Sequence, residues 1–293
     1  MESVINPNSD AIERQPKEND PQEIRIKKAL GEQLLNTSWA KETFEEIRLQ
    51  QLDFFRQALT DLSNPQKIRT NYLELLKKLA ATGKTKVVTG VEELANIEEE
   101  RGLIIVTNHL GTAKLTAFTP QQLGINIPID KIEPFPIRHA PLAILSSQLQ
   151  RPIFETAVEL PSPLDQIQAA TEVIVIAAGG IGRLRQLENN TSKTLERKKN
   201  ALIIMYPEGG TTGKRNRGGP YDLDMFQSGA FVVAAHLNVP ILPIAQYFNP
   251  NSGFELGILP LIKVENRNDH EYFNRLAKTS QTNMQTWLDS QKR

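Results

Sequence analysis

The sequence predicts an α/β fold with a mostly parallel central sheet flanked by helices, preceded by an N-terminal helical module. Two features of the 293-residue chain support this prediction. Residues 23–83 carry apolar side chains at three- and four-residue spacing, which is typical of amphipathic helices. From residue 84 onward, short apolar runs of strand length alternate with helical patterns, as in sheets that helices cover on both faces. We therefore divide the chain into segments 1–22, 23–83 and 84–293.

The N-terminal segments differ in composition. Residues 1–22 are rich in Asn, Pro, Asp and Glu, and we expect a disordered tail there. Helices are expected within EIRIKKALGEQLL, KETFEEIRLQQLDFFRQALTDL and PQKIRTNYLELLKKLAAT, with a break at Asn64-Pro65. The module has two possible roles. It either completes the core or touches a membrane surface through its aromatic residues Trp39, Phe44, Phe54 and Phe55.

The elements of segment 84–293 follow from the local patterns. Strands are expected at KVVT, LIIVTN, PIFETAVEL, ALIIM, VPILPIAQYF and FELGILPLI. Helices are expected at KLTAFTPQQLG, APLAILSSQLQ, PLDQIQAATEVIVIAA, MFQSGAFVVAAHLN and NDHEYFNRLAKTSQTNMQTWLDSQ. The polar stretch 183–200 is interpreted as a surface helix or an insertion. Gly179, Gly180 and Gly182 lack the spacing of a dinucleotide-binding fingerprint and are interpreted as a tight turn.

Composition argues against several classes of protein. Lys+Arg and Asp+Glu number 34 each, so no net charge draws the chain to nucleic acid or to an anionic membrane. Cysteine is absent, which excludes disulfides, thiolate catalysis and cysteine metal sites. No apolar window has the length of a transmembrane helix, and no signal peptide is visible. We expect a cytoplasmic protein without a nucleic-acid partner, and peripheral membrane contact stays open.

Two predicted strand ends carry the residues best suited to chemistry, because ligands of such sheets bind outside the carboxyl ends of the strands. In TNHLGTAK, His109 follows an apolar strand and precedes a glycine turn. In YPEGGTTGKRNRGG, Glu208 is followed by glycines and cations. A carboxylate at the mouth of a buried strand needs a partner, so Glu208 is unlike an ordinary surface acid.

The glycine-rich stretch after Glu208 does not match a nucleotide-binding P-loop. Gly209 and Gly213 enclose three residues where that motif has four, and Lys214 is followed by Arg215 in place of Ser or Thr. Glycine amides and the cations, which include Arg217, could still hold a phosphate or another anion. The alternative is a solvated basic loop.

Three blocks, in this order, resemble the glycerolipid acyltransferase superfamily of lysophosphatidate and glycerol-3-phosphate acyltransferases. They are GLIIVTNH, LIIMYPEGGTT and MFQSGAFVVAAHLNVPILPIA, and the resemblance spans roughly residues 87–248. In that family the histidine takes the proton from a glycerol or lysolipid hydroxyl, which attacks an acyl thioester of coenzyme A or acyl carrier protein. The resemblance therefore implies a glycerol-3-phosphate acyltransferase-like fold and an enzyme with His109 as general base.

The resemblance also implies the partners and the remaining site residues. The partners are an acyl thioester donor and a phosphate-bearing or lyso-lipid acceptor, and no metal or further cofactor is expected. Glu208 would shape the site or hold the acceptor, as the second catalytic residue. Substrate binding is assigned to Asn108, Lys114, Arg138, Gly209, Gly210, Thr211, Thr212, Lys214 and Arg215.

Lys114 is the main departure from the family pattern. The motif Asn-His-x-x-x-x-Asp has an acid at this position that orients the imidazole, and in serine proteases loss of the analogous charge costs about 10⁴-fold in turnover. A nearby ammonium would also disfavour the imidazolium. Glu208, Asp222 or Asp224 could orient His109 instead, with Lys114 contacting a phosphate.

Further departures concern arginines. The middle block of the family ends in an arginine that is missing after the strand PIFETAVEL, where Arg138 or Arg183 could substitute, and GGTT replaces Gly-Thr-Arg-Ser. Two functions therefore stay open: an active acyltransferase of a divergent branch, or a non-catalytic lipid or acyl-chain binding protein with this fold. Asn108-His109 and Pro207-Glu208-Gly209 favour the enzyme, and Lys114 favours the binding protein.

Overall fold

The computed structural model describes residues 21–176, 182–265 and 269–292. Residues 1–20 of the predicted tail lie outside this range, and so do Gly179 and Gly180 of the predicted glycine turn. Residues 21 and 22, which we assigned to the tail, belong to the first helix.

The N-terminal third consists of three helices, α1 (Pro21–Glu32), α2 (Ser38–Thr60) and α3 (Pro65–Thr82). Thr37 caps the N-terminus of α2, since its side chain accepts a hydrogen bond from the backbone N–H of Ala40. Asn64 caps α3 in the same way, with proline in the first turn, where its missing N–H costs no helical bond. Local sequence signals therefore set these helix starts.

The rest of the chain alternates strands with helices. In order, the elements are β1 (Lys86–Thr89), β2 (Leu103–Thr107), α4 (Thr112–Leu115), α5 (Pro136–His139), α6 (Ala143–Leu149), β3 (Ile153–Val158), α7 (Leu164–Ala170), β4 (Ile174–Ile176), α8 (Arg183–Arg197), β5 (Leu202–Met205), α9 (Gly229–His236), β6 (Ile241–Asn249), β7 (Gly253–Ile258) and α10 (His270–Gln291). Short 3₁₀ turns lie at 91–96, 120–123 and 140–142.

The strands form one seven-stranded sheet in the order β1-β7-β6-β2-β5-β3-β4. The five strands from β6 to β4 run parallel to one another. β7 is antiparallel to β6, and β1 is parallel to β7. Buried apolar clusters cover both faces of the sheet. The α/β fold with a mostly parallel sheet is thereby confirmed.

Two predicted helices were wrong in part. KLTAFTPQQLG is not one helix, because α4 ends at Leu115 and a 3₁₀ turn begins at Pro120. Proline forces the preceding Thr119 into an extended conformation, with a ψ of 154°, which breaks the helix. The helix predicted over PLDQIQAATEVIVIAA ends at Ala170, and β4 follows, because β-branched residues favour a sheet.

Helices α2 and α3 pack against the sheet. Phe44 lies 4.8 Å from Phe248 between ring centroids, and Phe55 packs on Phe135. Phe44, Phe54 and Phe55 are all buried. Trp39 stacks on Phe248. Phe44, Phe54 and Phe55 therefore complete the core and cannot touch a membrane, whereas Trp39 is partly buried and membrane contact through it stays a prediction. The division into a helical module and an α/β domain stays a prediction.

Over the described ranges, no helix is both long enough and apolar enough to cross a bilayer.

Candidate active site

The two predicted strand ends lie side by side. β2 and β5 are neighbours in the sheet, with Val106 paired to Met205, so the residues that follow them leave the same edge together. The backbone N–H of Thr212 donates to the carbonyl of His109 at 2.8 Å. The glycine loop that begins at Glu208 therefore folds directly onto the turn that carries the histidine.

Glu208 is the centre of this junction. Its carboxyl group is fully buried and accepts hydrogen bonds from the Thr212 hydroxyl at 2.6 Å, the His109 N–H at 3.2 Å and the Asp224 N–H at 2.8 Å. Burial raises the pKa of Glu208 to about 7, although these hydrogen bonds favour the carboxylate. Glu208 thus holds the backbone at His109 in place and titrates near neutral pH.

The His109 ring lies beside an aromatic side chain. The Tyr206 and His109 rings meet edge to face, with centroids 4.9 Å apart and planes at 69°. Tyr206 comes two residues before Glu208, so one strand end supplies both the packing partner of the ring and the acceptor for the backbone. Tyr206 is not among the site residues that the sequence predicted.

Asn108 has its side-chain hydrogen bonds inside the protein. Its Oδ1 accepts from the Gln246 N–H at 2.7 Å, and its Nδ2 donates to the Gln246 carbonyl at 3.0 Å. The residue is fully buried. Asn108 therefore joins the end of β2 to β6 and fixes the start of the His109 turn. Its assignment to substrate binding stays a prediction.

Lys114 forms an ion pair with Glu133. Glu133 is brought there by a bridge between Phe118 and Ile132, which folds the loop before α5 back over α4. The two side chains are 21% and 39% exposed. No sequence pattern indicated this partner, because Glu133 lies in an irregular Pro-rich segment. The position of the family acid thus carries a charge pair.

The other two acids proposed for orienting His109 hold the glycine loop. The Asp224 carboxylate accepts from the backbone N–H groups of Arg215 and Asn216. The Asp222 carboxylate pairs with Lys292 at 2.7 Å. Both acids therefore have structural partners.

The predicted anion-binding residues come together at the mouth of the site. Gly209 has a φ of +66°, a left-handed conformation that favours glycine. The Arg215 guanidinium and the Lys214 side chain lie over Gly209 and Gly210. Arg215 is exposed, whereas Thr211 is buried under this loop. The geometry suits an anion held between backbone amides and cations.

The Arg138 side chain forms an ion pair with Glu155. Its Nε lies 3.0 Å from Oε1 of Glu155 on β3, and the arginine side chain is 20% exposed. Glu155 is fully buried and was missed at the sequence level, although a charge inside the apolar run IFETAV requires a partner. The assignment of Arg138 to substrate binding stays a prediction.

A histidine and a glutamate at the carboxyl ends of adjacent parallel strands, with cations at the mouth, define an α/β protein with a polar ligand site. Residues 157–247 match the family model described as Acyltransferase. That segment contains the Glu208 loop, α9 and most of β6, and it begins after His109, which lies outside it. The acyltransferase resemblance found in the sequence is confirmed over this segment.

The chain is also similar to a solved structure, the crystal structure of the 1-acyl-sn-glycerophosphate (LPA) acyltransferase PlsC from Thermotoga maritima. The identity is 16%, the TM-score is 0.48, and the match covers 84% of this chain and 96% of that one. No curated protein matches the sequence.

Proposed function

We propose that this protein transfers an acyl group from an acyl thioester of coenzyme A or acyl carrier protein to the hydroxyl of a glycerol phosphate, lysophospholipid or related acceptor. The observation that supports this best is the hydrogen bond between the His109 backbone and Glu208. Glu208 lies in the segment that matches the acyltransferase family, and the bond joins that segment to the histidine.

In the proposed reaction, His109 accepts the proton of the acceptor hydroxyl as the oxygen attacks the thioester carbonyl. The tetrahedral intermediate collapses, the C–S bond breaks, and the imidazolium returns the proton to the leaving thiolate. Lys214 and Arg215 would bind a phosphate of the acceptor or donor over the glycine turn. A lysophospholipid acceptor would be met at a membrane surface, on the cytoplasmic side.

A second candidate function is a lipid or acyl-chain binding protein without catalysis. The ion pair between Lys114 and Glu133 favours it, since it occupies the position where the resembling family has its orienting acid.

The two functions are separated by following free thiol when the purified protein is given a long-chain acyl thioester and a panel of lyso-lipids. We expect acceptor-dependent thiol release that His109→Ala abolishes. His270→Ala is the matched control, because His270 lies at the exposed start of α10. Release that survives His109→Ala would exclude His109 as the base. Acyl-chain binding without release across the panel would establish the binding protein.

A further inference from the structure

A buried polar cluster lies beneath the site, between the sheet and the N-terminal helices. We call it the Glu155 cluster, and it consists of Tyr72, Arg138, His139, Glu155 and Tyr206. Glu155 is within ion-pair distance of both basic neighbours, with Nε of Arg138 at 3.0 Å and Nδ1 of His139 at 2.7 Å. The Tyr72 hydroxyl lies 2.7 Å from Nε2 of His139. Four separate segments of the chain thus supply one cluster.

Charge balance indicates how the cluster is held. A buried carboxylate is costly unless it is paired, and Arg138 supplies the matching charge for Glu155. Nδ1 of His139 lies 2.7 Å from the carboxylate, and the tautomer with its proton on Nδ1 lets Nε2 accept from the Tyr72 hydroxyl. Glu155 is therefore held by two residues of α5, one of which contacts Tyr72 of α3.

Tyr206 connects this cluster to the site. β5 lies between β2 and β3, so the residue after β5 can reach His109 on one side and Glu155 on the other. The Tyr206 hydroxyl is buried without a regular hydrogen-bond partner, and Glu155 is in register with Ile204, two residues before Tyr206 on the neighbouring strand. Burial, and then the charge of Glu155, raises the pKa of Tyr206 well above its usual range. The hydroxyl therefore keeps its proton and can donate.

We propose that Tyr206 is a positioning residue for His109, anchored through its hydroxyl by Glu155. The inference rests on the proposed function, because His109 needs a fixed orientation only if it is the base. A tyrosine ring that is held through its hydroxyl limits the rotation of an imidazole that packs against the ring. Such an anchor suits a chain that has Lys114, paired with Glu133, in place of the orienting acid.

The test compares Tyr206→Phe and Glu155→Gln with Tyr221→Phe in the full chain. Tyr221→Phe is the control, since Tyr221 is partly buried and also loses a hydroxyl, one that donates to the backbone carbonyl of Phe248. We expect Tyr206→Phe to lower kcat about tenfold with an unchanged KM for the acceptor, because a small displacement of a catalytic group can cost up to about 100-fold. Glu155→Gln should also lower kcat. The kcat of the double variant should be no lower than that of the less active single variant, because the two residues act through one contact. Tyr221→Phe should keep kcat within about twofold.

A second measurement does not depend on activity. The imidazole NMR signals of His109, assigned with His109→Gln, should shift in Tyr206→Phe while those of His236 and His270 stay in place. Unchanged His109 signals overturn the proposal whatever the activity does, and so does an unchanged kcat. If the wild-type protein transfers no acyl group, the proposed function fails, and the NMR comparison still decides whether Tyr206 fixes His109. If Glu155→Gln does not fold, Tyr206→Phe carries the test.

Discussion

At the scale of single residues, Glu208 and Lys114 show that the partners of a charged side chain decide its role. Glu208 is buried among three hydrogen-bond donors and holds the backbone of His109. Lys114 is partly exposed and pairs with Glu133, a residue 19 positions away. The first arrangement links protein stability to pH, and the second places a charge pair where the resembling family has an acid.

Glu208→Gln should change the pH dependence of stability. The pKa of Glu208 in the folded protein is about 7, against an ordinary value of 4.5. Between these values the folded state keeps a proton that the unfolded chain releases, so the free energy of unfolding falls as pH rises from about 4.5 to about 7. The size of this fall is on the order of 3 kcal/mol, at about 1.4 kcal/mol per pKa unit. The Glu208→Gln variant should not show this fall in the free energy of unfolding.

Urea unfolding from pH 4.5 to 8 measures this effect. Glu98→Gln is the control, because Glu98 is exposed and should leave the wild-type profile unchanged. Equal pH profiles for the wild type and Glu208→Gln would contradict the prediction.

Lys114→Asp should lower activity. The substitution places a second carboxylate beside Glu133 and removes an ion pair whose contribution to stability is about 1 kcal/mol or less at a partly exposed site. Adding Glu133→Lys restores opposite charges and should recover stability. Initial rates and thermal midpoints of the single and double variants measure both effects. A rise in activity for Lys114→Asp alone would mean that the lysine merely displaces an orienting acid.

At the scale of elements, side chains at the ends of strands fix how the strands meet. Gln246 of β6 exchanges two hydrogen bonds with Asn108 and donates a third to the Thr107 hydroxyl. These bonds tie the carboxyl end of β2 to its neighbour just before the His109 turn. The family resemblance implied a substrate-binding role for Asn108, which stays a prediction, and the contacts of its side chain are those of a clamp between strands.

Asn108→Ala should lower the free energy of unfolding by about 2–3 kcal/mol. The change leaves the buried N–H and carbonyl of Gln246 without the carboxamide that satisfies them. Asn96→Ala is the control, since Asn96 is exposed and a surface substitution should change stability by no more than about 0.5 kcal/mol. Urea unfolding of both variants decides, and equal stabilities would show that Asn108 is not a clamp.

Element types were predicted well where the local signal is strong. The helices α2, α3 and α10 and the strands β2, β5 and β6 have clear apolar periods and clear breaks. The prediction failed at β4, because its residues IVI follow a helix without a glycine or proline to mark the boundary. The helix ends at Ala170, two residues before Glu172, whose φ of +57° no sequence pattern announces.

At the scale of the whole molecule, the N-terminal helices and the sheet share one core. The aromatic side chains of α2 pack on β6, on β7 and on the loop before α5. Tyr72 of α3 reaches His139 of the Glu155 cluster. The N-terminal helices therefore contact the Glu155 cluster, and they also contribute to the stability of the whole protein.

Deletion of residues 1–82 should abolish cooperative folding, because it exposes the apolar side chains that α2 and α3 cover. Deletion of residues 1–20 is the matched control and should keep the wild-type melting curve. Circular dichroism melts measure both proteins. A cooperative melt of the 83–293 protein near the wild-type temperature would show that the α/β segment folds alone.

The sequence by itself determined the alternation of strands and helices, the two strand ends with His109 and Glu208, and the glycine turn with its cations. These features depend on periodicity and on neighbours a few residues apart. Only the tertiary structure decided that Glu208 binds the His109 backbone across 99 residues, that Lys114 meets Glu133, and that Glu155 lies below Tyr206. Such contacts follow from the order of strands in the sheet and the paths of irregular loops, which long-range packing sets.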